Sequence, residues 1–230
     1  MMRAAKAALL LWISVLALFH SGVMPPPQVQ MTGRASALWL DRKTEGIHQL
    51  ILSGPAFERG LKAGQLTKSL LEIQENVLND QLDGWLPQKW LRQAAVLLAI
   101  GWFQGIEKYL TPDDIAEMYG VSQSAPAKYN YLADPFTRQV AYHGLHEVGQ
   151  MMVDQGFEGM GCTLAAVRRG KNWILGRNFD FEGGRIFDTE KILKWVFPEH
   201  GLAYVSVIWA GMVGAVTGVN EKGVYVSINA

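Results

Sequence analysis

Cysteine occurs once in this chain of 230 residues, at Cys162, inside the run Gly159-Met160-Gly161-Cys162-Thr163. A lone cysteine is ordinarily a small buried hydrophobe. Here Gly161, the residue before it, has no side chain to block approach to its own carbonyl and tolerates strained backbone. The Gly161–Cys162 bond is therefore open to attack by the thiol that follows it. Downstream comes Gly176-Arg177-Asn178-Phe179-Asp180-Phe181. Residues 162–167 and 172–176 read as the two strands of a hairpin, joined by the basic turn Arg168, Arg169, Gly170, Lys171. Such a hairpin carries Arg177 and Asp180 back beside Cys162. A guanidinium near a thiol favours the thiolate, which is the nucleophile. Cutting the Gly161–Cys162 bond would free an α-amine of intrinsic pKa about 7.7 to 8.0, which can serve as the general base. Asp180 could then hold the ammonium, and no catalytic histidine is needed. The plainer alternative for Arg177 and Asp180 is a structural ion pair.

Gly-Cys-Thr, a short hairpin, then Gly-Arg-Asn-Phe-Asp resembles the N-terminal nucleophile (Ntn) hydrolases. Within them it resembles the branch of peptidase family C45, the acyl-coenzyme A:6-aminopenicillanate acyltransferases, together with choloylglycine hydrolase and acid ceramidase. Gly218-Val219-Asn220-Glu221-Lys222-Gly223-Val224 is similar to that branch's Asn-Glu-x-Gly turn, and Arg59-Gly60-Leu61-Lys62-Ala63-Gly64 to its Arg-Gly-x-x-x-Gly segment. The resemblance spans about Phe57 to Ala230. It implies that Cys162 is both the autoprocessing and the catalytic nucleophile, cleaved from Gly161, with Arg177 and Asp180 around it. It implies further that Asn229 helps bind the oxyanion, a looser match whose alternative is an ordinary strand-end residue. No cofactor is implied. The expected substrate is a small acylated molecule, an N-acyl amide or an acyl thioester, and the expected chemistry is hydrolysis or acyl transfer. A different class of reading is a non-catalytic, membrane-associated remnant or binding protein of the same fold.

Other elements must hold these residues in place. From Gly54 onward, Phe57, Leu61, Leu66, Leu70, Ile73 and Val77 recur at helical spacing, and Trp90 to Tyr109 reads as a helix apolar on most faces and hence buried. Thr111-Pro112-Asp113-Asp114 has the form of a helix start, and Asp134-Pro135 repeats it, leading a helix to about Asp154. Strand-like runs follow at 202–208, 213–218 and 224–228, with a turn at 220–223. The expected fold is α+β: a mainly helical pro-region over 37–161, then at 162–230 the first part of an Ntn-type αββα sandwich, incomplete at its C-terminal side. The two processed chains are expected to stay associated.

His143, His146 and Glu147 share a helix face, yet the spacing is not that of zinc proteases and no third ligand is evident, so no metal is expected. Trp85, Trp90, Trp102 and Phe103 are expected to pack in the helical layer, and 62–68 to form a solvated helix face. Twenty-one basic residues balance twenty-one acidic ones, so no global field recruits nucleic acid. Residues 1–23 read as a signal peptide or membrane anchor: Arg3 and Lys6 precede the apolar run 7–19, shorter than the roughly 20 residues that span a bilayer comfortably. Residues 24–36, with Pro25, Pro26 and Pro27, read as a linker. The bulk of the chain is thus expected outside the cytoplasm, exported or anchored through the first segment.

Overall fold

The computed structural model describes residues 26–41, 46–102, 105–144, 160–181 and 184–229. The segment 1–23, the predicted helix beyond Gly144 with His146 and Glu147, Phe103, and Ala230 lie outside them. Residues 26–35 carry no helix or strand, and Ser36, read as the end of the linker, opens the first strand. Two strands follow, β1 (Ser36–Leu40) and β2 (His48–Gly54), then the helices α1 (Ala56–Leu66), α2 (Lys68–Trp85), α3 (Lys89–Trp102), α4 (Pro112–Ser122) and α5 (Pro135–His143). The second half holds β3 (Met160–Arg169), β4 (Asn172–Phe181), a helical turn at Ile186–Thr189, β5 (Ile192–Pro198), β6 (Tyr204–Ile208), β7 (Thr217–Asn220) and β8 (Tyr225–Ser227). Among the described residues no helix is long and apolar enough to cross a membrane.

The fold is mixed α+β. One sheet of six strands runs in the order β1-β2-β5-β6-β7-β8, and β3 and β4 form a separate two-stranded ribbon. β2 pairs with β5 in parallel, and every other pairing is antiparallel. Among the described residues, the stretch read as a helical pro-region thus supplies two strands as well as five helices. Its strand β2 lies inside the same sheet as the strands that follow Cys162. β5 was also not anticipated: Ile192, Lys194 and Val196 alternate inward with Trp195 and Phe197 outward. A lysine in the buried set broke the apolar alternation by which a half-buried strand is recognised.

Helices cover one face of the sheet. Leu50, Leu52, Ile192 and Ile208 from β2, β5 and β6 pack with Ala63 of α1 and Val121 of α4. The opposite face leaves Leu38, Trp195, Phe197, Val207 and Val219 exposed. α1 and α4 cross at van der Waals contact of their backbones. A Cβ on Gly60 would fall 2.0 Å from the Glu117 carbonyl oxygen, and one on Gly120 2.3 Å from that of Phe57. This contact explains Gly60 and Gly64 of the Arg-Gly-x-x-x-Gly segment, since only glycine permits such an approach.

The charged members of that segment are buried as well. Arg59 donates to Glu117 Oε2 through Nη2 at 2.6 Å and Nε at 3.2 Å. Lys194 Nζ lies 3.5 Å from Glu117 Oε1 and donates to the Met212 carbonyl at 3.0 Å. α1, α4 and β5 are therefore tied through one carboxylate, and burial pulls the Lys194 ammonium below its usual pKa range despite that partner. Glu58 accepts the backbone N–H groups of Thr32, Gly33 and Ala35, which together hold its pKa down at about 2.

The helix starts follow their sequence signals. Thr111 and Asp114 form a reciprocal capping box, and Asp134 accepts from the N–H groups of Phe136 and Thr137. α3 departs from expectation: Leu97 and Ile100 are buried, but Trp90 and Leu98 stand in solvent, so the helix lies at the surface. Trp85 is exposed too, so neither it nor Trp90 packs in the helical layer. Residues 62–68 are likewise mixed, with Ala63, Gly64 and Thr67 buried and Gln65, Leu66 and Lys68 exposed.

Candidate active site

The β3–β4 ribbon brings the predicted residues together through its register. Cys162 pairs with Phe179, Leu164 with Arg177, and Gly161 with Asp180. Side chains alternate across a strand, so Cys162, Phe179, Leu164 and Arg177 share one face. Arg177 is a diagonal neighbour of Cys162, within reach of a long side chain. Its Nη2 donates to Cys162 Sγ at 3.4 Å and also to the Ile228 carbonyl. Nη1 donates to Thr217 Oγ1 at 2.6 Å, and Nε lies 3.4 Å from Asn229 Oδ1. The guanidinium stacks over the Phe179 ring, 4.6 Å from its centroid. The Cys162 thiol points at the Ile228 carbonyl, at 3.8 Å.

Asp180 is placed differently from the sequence expectation. It lies on the other face of the ribbon from Cys162, because the two are at positions of opposite parity in the paired strands. There it sits beside Gly161, where a Cβ would be 3.6 Å from Asp180 Oδ2. Asn178 Nδ2 donates to Asp180 Oδ1 at 2.7 Å and orients the carboxylate. Asn229 joins the cluster through Arg177, while its own Nδ2 donates to Ser227 Oγ at 3.1 Å.

Thr217, Phe179 and the Ile228 carbonyl were not singled out from sequence. Phe179 stood within the Gly-Arg-Asn-Phe-Asp motif and Thr217 and Ile228 within strand-like runs, but none carried a chemical signal of its own; Thr217 begins the strand that leads to the Asn220–Gly223 turn. That turn forms as read: Asn220 Oδ1 accepts from the Lys222 and Val224 N–H groups, both at 3.0 Å.

Two hollows flank the ribbon's root, where β6 ends, β7 begins and β8 ends. An apolar cavity of about 120 Å³ runs under it between α2, α5 and the sheet, walled by Leu71, Leu78, Phe179, Trp209, Val216 and Ile228. Its polar side is closed by Glu75, which accepts from Arg138 Nε at 2.7 Å and from the Tyr142 hydroxyl at 2.6 Å. Burial, reinforced by Glu75, pushes the Tyr142 pKa well above its ordinary value, so the phenol stays protonated. On the other side an open cleft is lined by Arg177, Asn178, Asp180, Thr217 and Tyr225, and it shares Phe179, Trp209 and Val216 with the cavity.

His143 is engaged at both ring nitrogens. Nδ1–H donates to the Gln139 carbonyl and Nε2 accepts from the Val213 N–H, each at 2.8 Å. Burial lowers its pKa, which favours this neutral tautomer and leaves no lone pair for a metal. His146 and Glu147 lie outside the described residues. No protein-family model matches the chain, and none of the curated proteins compared with it matches either.

Proposed function

We propose that this chain is an Ntn-type cysteine amidohydrolase or acyltransferase that activates itself by cutting the Gly161–Cys162 bond. The observation that carries the reading is the placement of Arg177 Nη2 at 3.4 Å from Cys162 Sγ, with the Asp180 carboxylate beside Gly161 on the opposite face of the same ribbon. A structural ion pair would bring Arg177 to Asp180. Here the guanidinium instead turns to the thiol, Thr217 and the Ile228 carbonyl.

In the first stage the Cys162 thiolate, paired with Arg177, attacks the Gly161 carbonyl carbon. The C–N bond breaks, the nitrogen takes up the proton that the thiol gave up, and Gly161 is left as a thioester on Sγ. Water then hydrolyses the thioester, releasing the Gly161 carboxylate and regenerating the thiol. Asp180, which lies beside Gly161, would hold the new α-amine of Cys162 once that amine turns toward it. In the second stage the free amine takes the thiol proton, and the thiolate attacks an amide or thioester carbonyl to form an acyl-enzyme. The leaving amine or thiol takes the proton, and water or an amine acceptor releases the acyl group. Asn229 would donate to the oxyanion once its amide turns from Ser227, a contribution of about 3 kcal/mol if it behaves as a typical donor. The apolar cavity behind Phe179 and Ile228 suits an aliphatic or aromatic acyl group, and the polar cleft suits the leaving portion.

The mass of the purified protein tests the proposal. Two fragments parting between Gly161 and Cys162 are expected, and a single intact chain in the Cys162→Ala variant. Turnover by material in which that bond stays whole would refute the mechanism. Acyl release measured with and without an amine acceptor separates the hydrolase from the transferase.

A further inference from the structure

On β4, Arg177 and Phe179 stand two positions apart on the face that Cys162 shares. An arginine side chain there can lean along the strand in either direction. Toward Leu175 it would meet an exposed aliphatic group, and toward Phe179 it meets an aromatic ring. It takes the second course, with the guanidinium carbon 4.6 Å from the ring centroid. Because Phe179 is the direct cross-strand partner of Cys162, the same lean carries Nη2 to 3.4 Å from Sγ.

A carboxylate partner would occupy the in-plane N–H groups of a guanidinium, whereas an aromatic face meets its flat side and leaves those groups available. Among the described residues no carboxylate pairs with Arg177; its N–H groups go to Thr217 Oγ1, Asn229 Oδ1, the Ile228 carbonyl and the Cys162 sulfur. The Phe179 ring thus supports the guanidinium without competing with the sulfur for a donor. That ring is itself held. It lies 5.3 Å from the ring of buried Trp209, which donates Nε1–H to the Phe187 carbonyl at 2.6 Å and meets the Phe187 ring edge-on at 5.7 Å.

We propose that Phe179 is a positioning residue for the Cys162 thiol: its ring, backed by Trp209, holds the Arg177 guanidinium with a donor aimed at the sulfur. The consequence for self-cleavage rests on the catalytic reading, and the consequence for thiol reactivity does not.

Alkylation of the full chain by iodoacetamide at neutral pH tests it. Cys162 is the single cysteine, half-buried, and the thiolate that a guanidinium favours is the form that reacts. Phe179→Leu should slow alkylation about fivefold, as expected for loss of one half-buried cation–π contact, and should slow the appearance of fragments with it. Phe179→Tyr keeps the aromatic face and should alkylate at the parent rate. Phe179→Met gives the reading if Phe179→Leu fails to fold. In an Arg177→Gln chain, Phe179→Leu should change alkylation by less than about twofold, since the ring then has no guanidinium to hold.

Equal alkylation of the parent and the aliphatic variants would overturn the proposal. So would equal slowing by Phe179→Tyr and Phe179→Leu, or an undiminished effect of Phe179→Leu in the Arg177→Gln chain, either of which would trace the loss to packing. A parent that is never cut, but whose alkylation follows the expected pattern, would remove the catalytic reading and leave the positioning role standing. Fragments from a parent whose alkylation ignores position 179 would do the reverse.

Discussion

Gly161 and Asp180 face each other directly across the β3–β4 ribbon, while Arg177 reaches Cys162 diagonally on the opposite face. The carboxylate therefore lies beside Gly161 and the guanidinium beside the Cys162 sulfur. This division of labour separates the variants' expected behaviour.

Arg177→Lys keeps the charge but cannot reach Sγ, Thr217 and the Ile228 carbonyl together. Cleavage at Gly161 should slow about a hundredfold, and Thr217→Val, which loses one charge-assisted bond, about tenfold. Fragment appearance followed by mass spectrometry is the check. Unchanged rates in both would detach Arg177 from the chemistry.

Asp180→Asn should leave cleavage detectable and lower kcat by about a hundredfold, because the matured amine loses its carboxylate. The pH profile should shift with it. A variant affecting KM alone would assign Asp180 to substrate binding instead.

The α1–α4 crossing has no room for a methyl group. Gly60→Ala and Gly120→Ala each drive a Cβ into backbone rather than into a side chain that could swing away. Each should cost about 3 kcal/mol or more, read as a lower urea midpoint. Gly84→Ala, in open space on α2, should be neutral or slightly stabilising.

Glu117→Gln leaves Arg59 and Lys194 buried without their shared carboxylate. A loss of about 3 to 5 kcal/mol is expected. Adding Lys194→Met to Glu117→Gln should recover part of it by removing one of the two unpaired charges; a strictly additive loss would argue against the coupling.

Glu58 carries a pH signature of definite sign. Its folded pKa of about 2 lies below the ordinary 4.5, so the stability it contributes is present above that ordinary value and is lost as pH falls toward 2. Unfolding by urea across this window should show a parent chain weakening more steeply with acid than Glu58→Gln. Parallel curves would deny the linkage.

Sequence by itself determined the features written in consecutive residues. Thr111 and Asp134 cap helices because the hydroxyl or carboxylate and the N–H groups it accepts lie two or three positions apart. The Arg168–Lys171 turn forces 162–169 and 172–179 to pair, and the parity of that pairing sets Arg177 on the Cys162 face. Asp180, three positions from Arg177, must then take the other face; that it is Arg177 and not Asp180 that joins Cys162 rests on this register, since one position of slip exchanges the two sides. Only the tertiary structure decided the rest. β2 meets β5 more than a hundred residues away in parallel, and Lys194 is buried because Glu117, from a distant helix, receives it. Thr217 and Ile228 complete the Arg177 site from strands that carry no chemical signal of their own. Burial of a charge and a contact across the chain depend on partners brought together by packing, and no local spacing encodes them.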